Sequence, residues 1–166
     1  MNSIEKLINK YSLLPHPEGG WYIETFRSKE IIAADQLSNK FSGERVMSTA
    51  IYFLLEQGNF SAFHRIQSDE CWHFYAGQTL EMYVLDDRGG LVITRLGSDI
   101  EAGDCYQYVV PANHWFASRP AANSSYCFVG CTVAPGFDYA DFELAREQDL
   151  YAQFPQHQTL IQGLCR

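Results

Sequence analysis

Short segments rich in β-branched and aromatic residues, separated by turns, occupy the chain from Val46 to Val133. Gly58-Asn59 and the stretch from Asp86 to Gly90 supply clear turn signals between them. We predict strands at about residues 21–27, 47–55, 60–66, 71–75, 79–85, 91–96, 104–110, 114–118 and 125–133, with a fragment near Ile31. Closely spaced short strands build a β-sandwich or a β-barrel rather than a sheet of alternating strands and helices. The sequence therefore predicts an all-β fold.

Helical periodicity is confined to the two ends of the chain. Ser3 can cap a short amphipathic helix over residues 3–11, which we expect to pack on the outside of the sheets. Asp138 can cap a second helical segment that extends to about Gln153 and is closed by Pro155.

The length and the absence of internal division indicate a single domain over residues 1–166. A chain of this size can bury a sizeable core, and no repeat, low-complexity run or long linker interrupts it.

One stretch of predicted strands carries regularly spaced polar residues, GNFSAFHRIQSDECWHFYAG, beginning at Gly58. Because strand side chains alternate between faces, His64 and Ile66 share one face of a strand, and Glu70 begins the next strand. A hairpin of this kind can bring His64 and Glu70 together inside a barrel. Alternatively, His64 is a hydrogen-bonded core histidine and Glu70 caps or pairs locally.

A second motif begins 26 residues after Gly77. Gly103 opens a predicted strand, and Pro111-Ala112-Asn113-His114 closes it. His114 is therefore a candidate third polar group in the same pocket. Alternatively, it is an exposed histidine in a turn.

The first of these patterns resembles the first signature of the cupin superfamily, a group of small double-sheet β-barrels. That signature places Gly, His, a second His, Glu and Gly at the spacings found here for Gly58, His64, Ile66, Glu70 and Gly77. The one departure is Ile66, which stands where the family has a second metal-binding histidine.

The second pattern resembles the second cupin signature more loosely. Seven residues separate Gly103 from Pro111 where the family has five, and His114 follows Pro111 by only three positions. The glycine before this histidine and the asparagine after it are both missing.

Longer segments resemble one subfamily of small cupins, Cupin_5 (DUF985). They are HPEGGWY at 16–22, ETFRS at 24–28, FHRIQSDECWHFYAG at 63–77, VVPANHW at 109–115 and PGFDYADFEL at 135–144. The resemblance implies a jelly-roll barrel, commonly a homodimer, with a fold like that of nucleotide-sugar epimerases. It implies no established reaction.

Without a metal, His64 and Glu70 in a low-dielectric cavity form an acid–base pair in which the carboxylate orients the imidazole. Such a pair suits proton abstraction next to a carbonyl, as in the sugar epimerases of similar fold. We therefore predict a cupin that binds a small metabolite, a carbohydrate or its derivative, and that catalyses isomerisation or epimerisation. An alternative is a binding or sensing module without catalysis.

Further residues could contact such a ligand. Aromatic side chains on the strand face of Glu70 could stack on a sugar ring or fill the core, and an inward tyrosine would complete the proton-transfer set. An acidic residue in the glycine-rich turn could lie at the barrel mouth. These ligand-binding candidates are Trp72, Phe74, Tyr52, Tyr83, Tyr108 and Glu18. Arg65 and Arg119 could recognise an anionic ligand, or they lie on the surface.

The resemblance also raises the question of a metal. A typical cupin site supplies three histidines and one glutamate to a first-row transition metal, and with Ile66 in place only His64, Glu70 and His114 remain. Two histidines and one carboxylate suit Fe(II), Zn(II) or Mn(II). A metal-dependent cupin enzyme is therefore the alternative hypothesis.

Composition limits the partners. The formal net charge is −8 and no basic run offsets it, which argues against a nucleic-acid partner. The five cysteines show no CxxC spacing and no apolar signal region precedes them, so we expect reduced thiols in a cytoplasmic protein. No window approaches the roughly 18 apolar residues of a membrane span.

Overall fold

The computed structural model describes residues 3–166. Within this range, the helices are α1 (Ser3–Tyr11), α2 (Glu147–Gln153) and α3 (Gln158–Leu164). The strands are β1 (Leu14–Pro15), β2 (Trp21–Arg27), β3 (Ile31–Ile32), β4 (Arg45–Val46), β5 (Thr49–Glu56), β6 (Ser61–Arg65), β7 (Asp69–Gly77), β8 (Leu80–Leu85), β9 (Leu91–Leu96), β10 (Gln107–Val110), β11 (Trp115–Pro120), β12 (Tyr126–Ala134) and β13 (Glu143–Leu144). The all-β prediction is confirmed, and β2 and β9 have the predicted bounds.

Two antiparallel sheets form the sandwich. The first has six strands in the order β1-β2-β5-β12-β7-β10, and the second has five in the order β13-β6-β11-β8-β9. Neighbours in each sheet are mostly distant in sequence, as in a jelly roll. Strands β3 and β4 pair separately as a small ribbon.

The inward faces of both sheets supply the main core. Alternate residues of β5 and β12, including Phe53, Leu55 and Val129, pack against Met82 of β8 and Phe116 of β11. All five side chains are almost fully buried. Strand alternation thus assigns one face of each sheet to the interior.

Helix α1 covers the outer face of the six-stranded sheet. Its residues Ile4, Leu7 and Ile8 pack against Leu54 and Phe128. The predicted position of this helix is therefore confirmed, although Ser3 is its first residue rather than a preceding cap.

Helices α2 and α3 cover the outer face of the five-stranded sheet. Leu150, Ile161 and Leu164 pack there with Phe63 of β6 and Leu85 of β8. None of these α-helices, nor α1, is long and apolar enough to cross a membrane.

The prediction of one helical segment from Asp138 to about Gln153 is correct only at its C-terminal end, where α2 ends at Gln153. Asp138 caps only a single 3-10 turn, Tyr139–Asp141, by accepting the N–H of Ala140 at 2.8 Å. The chain then extends as β13, because residues 143–144 pair with the edge of β6. Helix α2 begins only after this pairing ends, and α3 was not predicted.

Two glycines of the first motif have a left-handed backbone, with φ of +83° at Gly58 and +91° at Gly77. A Cβ added at Gly77 would lie 2.4 Å from the carbonyl oxygen of Tyr126, whereas one at Gly58 would meet nothing within 4 Å. Substitution of Gly58 would therefore cause backbone strain alone, whereas substitution of Gly77 would cause backbone strain and a steric clash.

We expect Gly77→Ala to lower the free energy of unfolding by about 3 kcal/mol, because the clash adds to the cost of a left-handed backbone. Gly58→Ala is the matched control, with an expected loss of about 1 kcal/mol from the backbone alone. Urea denaturation of both variants measures the difference, and equal losses would contradict this account.

Candidate functional site

A cavity of about 420 Å³ lies between the two sheets. Strands β2, β5, β12 and β7 supply one wall, and β6 supplies the other. The segment after β12, residues 137–142, lies over it and is called the covering segment below. This volume is in the range of small-molecule sites.

An ion pair between Glu18 and His64 lies on the cavity wall. The Nδ1 atom of His64 is 2.7 Å from Glu18 Oε2 and 2.7 Å from the carbonyl oxygen of Ala62. The hydroxyl of Ser61 donates to the same carboxylate oxygen. Only 3% of His64 and 7% of Glu18 are exposed, so the contact is shielded from water.

The turn before β2 positions Glu18. His16 closes this turn through its N–H to the Gly20 carbonyl oxygen at 2.9 Å. The carbonyl oxygen of Glu18 then accepts the N–H of Ala62 at 3.0 Å, which ties the turn to β6. His64 follows two residues later on the same face of β6. The backbone thus brings the two charged side chains together.

Burial and mutual attraction have opposite effects on this pair. Burial lowers the pKa of His64, but the charges of Glu18 and Glu70 outweigh it, so that the pKa is raised above its ordinary value. Burial raises the pKa of Glu18, but contact with His64 outweighs it and the pKa is lowered. Both shifts favour the charged forms, a carboxylate on Glu18 and an imidazolium on His64.

His16 lies beside this pair as a neutral ring. Burial lowers its pKa, and its Nδ1 atom accepts the N–H of Glu18 at 3.2 Å. The same nitrogen is 3.2 Å from Glu18 Oε1, but an unprotonated acceptor makes no ion pair with a carboxylate. His16 thus forms part of the cavity wall as an uncharged side chain.

Glu70 is the buried carboxyl group that has no ionic partner in this cluster. Its Oε2 atom makes no hydrogen bond within residues 3–166, and 7% of the residue is exposed. Burial raises its pKa to about 7; the charge of His64 opposes this rise and that of Glu18 adds to it. The nearby thiol of Cys131 and indole of Trp72 moderate it. Glu70 can therefore gain or lose a proton near neutral pH.

Apolar and aromatic side chains form much of the remaining lining. Ile51, Ile66 and Val133 contribute aliphatic surface on the cavity wall. The rings of Phe116 and Phe142 lie 4.1 Å and 5.4 Å from that of His64. The charged cluster is thus held in an environment of low dielectric constant.

The covering segment is fixed by a buried salt bridge. Arg45 donates to both carboxylate oxygens of Asp141, from Nε at 2.7 Å and from Nη2 at 2.5 Å, and 5% of each side chain is exposed. The N–H of Phe137 donates to Thr49 Oγ1 at 2.9 Å. These contacts hold the aromatic rings of Phe137, Tyr139 and Phe142 at the cavity.

Three predicted site residues lie together at the cavity: Glu18, His64 and Glu70. The arrangement differs from the predicted one, because the carboxylate that contacts the imidazole belongs to Glu18 and not to Glu70. The turn residue expected only at the barrel mouth is therefore the direct partner of His64.

The predicted aromatic contacts do not line the cavity. Trp72, Phe74 and Tyr108 face inward but pack in the core. Tyr52 packs with Phe128 on the outer face beneath α1. Tyr83 lies on the outer face of the second sheet, where its hydroxyl donates to Glu81 at 2.5 Å. Strand alternation turns both of these tyrosines away from the interior.

Sequence reasoning missed several lining residues. His16, Tyr22, Cys131 and the aromatic rings of the covering segment line the cavity. Most of them lie in the segments at 16–22 and 135–144 that carry the family resemblance. Membership of these segments was the one feature of the sequence that could have indicated a place in the site.

The donor set does not fit a typical cupin metal. Ile66 is 5% exposed and lines the cavity where a histidine ligand is expected. His114 is not among the lining residues, and its Nδ1 atom lies 3.1 Å from the carbonyl oxygen of Ala112. Within residues 3–166, no group of three or more His, Cys, Asp or Glu side chains is arranged to hold a metal ion.

The chain belongs to the cupin superfamily. Residues 5–145 match the family Cupin_5, described as cupin superfamily (DUF985). The fold predicted from the two motifs is therefore confirmed. The family assignment rests on a match that covers most of the chain.

Particular relatives cover nearly the whole molecule. Protein SO0799 from Shewanella oneidensis is 37% identical, with a TM-score of 0.89 over 100% of this chain and 99% of that one. A hypothetical protein from Leishmania major is 33% identical, with a TM-score of 0.90 over 99% of each chain. Uncharacterized protein YML079W of Saccharomyces cerevisiae is 29% identical over 89% of this chain and 78% of its own length.

A more distant likeness concerns the fold alone. Oxalate decarboxylase from Bacillus subtilis is 11% identical, with a TM-score of 0.54 over 90% of this chain and 36% of that one.

The raised pKa of Glu70 predicts a pH dependence of stability. Because the folded state holds this proton up to about pH 7 and an ordinary glutamate loses it near 4.5, the contribution of Glu70 to stability falls as pH rises through this window. Integrated, the loss is about 3 kcal/mol.

We expect Glu70→Gln to lack this loss. Urea denaturation at pH 5 and pH 8 should show wild type losing about 3 kcal/mol more than the variant over that interval. Glu143→Gln, which alters an exposed carboxylate, is the matched control and should follow wild type. Parallel pH profiles for Glu70→Gln and wild type would contradict the assignment.

Proposed function

We propose that this protein binds a small carbohydrate or carbohydrate derivative in the cavity and isomerises it by metal-independent proton transfer. The observation that supports this most is Glu70, a buried carboxyl group on the cavity wall with a pKa of about 7. A general base is most effective when its pKa lies near the working pH. In the adjacent pair, Glu18 orients the imidazole of His64 and favours its protonated form.

The three side chains have separate roles in this proposal. Glu70 removes a proton from the carbon next to the substrate carbonyl. His64, as an imidazolium, donates a hydrogen bond to the carbonyl oxygen and stabilises the negative charge of the enediolate. Glu70 then returns the proton to the former carbonyl carbon. His64 passes a proton to the former carbonyl oxygen and takes back the proton of the neighbouring hydroxyl group, so that no atom or electron is gained or lost. Glu18 keeps His64 protonated and oriented.

A single base favours isomerisation over epimerisation. Transfer of a proton between neighbouring carbons needs one group on one face of the substrate, which Glu70 provides. Inversion at a carbon needs a second proton donor on the opposite face. The tyrosines predicted for that role, Tyr52, Tyr83 and Tyr108, do not line the cavity, so an epimerisation would have to draw its second proton from Tyr22 or Tyr139, which do.

The test is turnover of a panel of aldoses and ketoses, with proton exchange into deuterated solvent followed by NMR. We expect kcat/KM to rise with pH through about 7 as Glu70 loses its proton, and to fall at higher pH as His64 loses its own. Glu70→Gln should lower kcat by about 10²- to 10⁴-fold.

Glu18→Gln tests the positioning role. Without the carboxylate charge the pKa of His64 should fall, so the alkaline limb of the pH profile should move to lower pH. Glu143→Gln should leave both limbs in place. Absence of turnover and exchange across the panel, or full activity of Glu70→Gln, would contradict the proposal. The alternatives would then be binding without catalysis and a metal-dependent reaction. Elemental analysis of the purified protein would test for the metal.

We also propose a cytoplasmic homodimer. Five free thiols are compatible with a reducing compartment. Strand β10 lies at an edge of the six-stranded sheet, where Tyr106 and Val109 are 54% and 47% exposed. Exposed apolar edges commonly pair with another chain.

Sedimentation equilibrium should give twice the chain mass of 18.9 kDa. Val109→Asp should shift the equilibrium toward the monomer, because it places charge at the edge. A monomeric mass for wild type at about 100 μM would contradict the dimer.

A further inference from the structure

The charged groups of the cavity bear on which ligands it accepts. Four acidic side chains line it: Glu18, Glu24, Glu70 and Asp138. Besides two histidines, Arg27 is the cationic residue in this lining. The protein as a whole carries a formal charge of −8. An anionic ligand therefore approaches a region of like charge.

Arg27 is already engaged by the protein. Its Nε and Nη2 atoms donate to the two carboxylate oxygens of Glu24 at 3.0 Å and 2.7 Å, and both terminal nitrogens lie 3.4 Å from the carbonyl oxygen of Phe137. A phosphate would have to compete with this bidentate contact. Glu18 also offsets the positive charge of His64, through a single contact at Nδ1.

The two other arginines considered for anion recognition are absent from the cavity lining. Arg65 pairs with Glu143 at 2.6 Å and stacks over Trp115. Arg119 donates to the hydroxyl of Tyr83 at 3.1 Å, on the outer face of the five-stranded sheet. Neither arginine is therefore placed to form an ion pair with a ligand in the cavity.

The uncharged part of the lining suits a ring with an apolar face and polar edges. Tyr22, Phe137, Tyr139 and Phe142 present aromatic surface, and Phe137 and Tyr139 meet edge to face at 5.0 Å. Aromatic surface packs against C–H groups, while the two tyrosine hydroxyls and the Glu70 carboxyl can exchange hydrogen bonds with hydroxyl groups.

From these contacts we infer that the cavity selects an uncharged polyhydroxylated ring, such as a free monosaccharide, and discriminates against its phosphorylated, nucleotide-linked and carboxylated forms. This inference rests on the proposed function for the site, and it names the substrate class. It separates this cavity from that of an enzyme that acts on nucleotide sugars, which must neutralise a diphosphate.

The experiment measures binding of matched ligands to the full-length wild-type chain. Common aldohexoses and aldopentoses are each paired with their own terminal phosphate and uronic acid, screened by thermal stabilisation and then measured by calorimetry. We expect at least one uncharged sugar to bind about 10-fold or more tightly than its phosphate and its uronate.

A variant pair tests the physical cause. Glu24→Gln removes a negative charge and weakens the hold on Arg27, so the ratio of phosphate affinity to uncharged-sugar affinity should rise by about 5-fold or more. Glu143→Gln releases Arg65 outside the cavity and should leave this ratio unchanged. If Glu24→Gln also leaves it unchanged, the electrostatic explanation is overturned.

The outcomes separate the inference from the proposed function. Preferential binding of an uncharged sugar without turnover retains the inference and overturns the proposed isomerisation. Turnover of a phosphorylated or nucleotide-linked sugar with equal or tighter binding retains the isomerisation and overturns the inference. Absence of binding by every uncharged sugar in the panel overturns the inference.

Discussion

The contact between Glu18 and His64 is the interaction on which the site depends. It joins the turn before β2 to strand β6, so it links one sheet to the other through a buried ion pair. A buried pair of this kind contributes little net stability, because desolvation offsets the attraction, but loss of either partner leaves a buried charge. Its consequence here is chemical, since it favours the protonated imidazole of His64 and leaves Glu70 without an ionic partner.

The surrounding packing makes that consequence possible. Core residues fill the space between the sheets beside the cavity, while the covering segment adds aromatic rings to its lining. In such a setting a carboxyl group retains its proton to a higher pH because water no longer solvates its charge. The Arg45–Asp141 salt bridge holds the covering segment, so a contact outside the charged cluster also supports its environment.

Ile66 shows how one residue changes the chemistry that a common fold can support. The backbone position that carries a metal-binding histidine elsewhere in the superfamily carries an aliphatic side chain here, and that side chain lines the cavity. Without this histidine, the site has fewer metal ligands than the three histidines and one glutamate of a typical cupin. The isoleucine side chain instead adds apolar surface to the cavity that Glu70 lines. The proton transfer proposed above uses only protein side chains. Fold alone does not define a reaction, and the site residues carry the argument.

By itself, the sequence determined most of the strands and the inward positions of His64 and Glu70, because strand alternation and turn residues are local properties. It did not reveal that Glu18, 46 residues before His64, is the partner of the imidazole, since that contact requires the turn before β2 to meet β6. It also placed a helix where β13 pairs with β6, because helical propensity near Asp138 is weaker than the hydrogen bonds that an open sheet edge offers. The tertiary structure alone decided which tyrosines face inward and which carboxyl group has a raised pKa, because both depend on what the fold buries around each side chain.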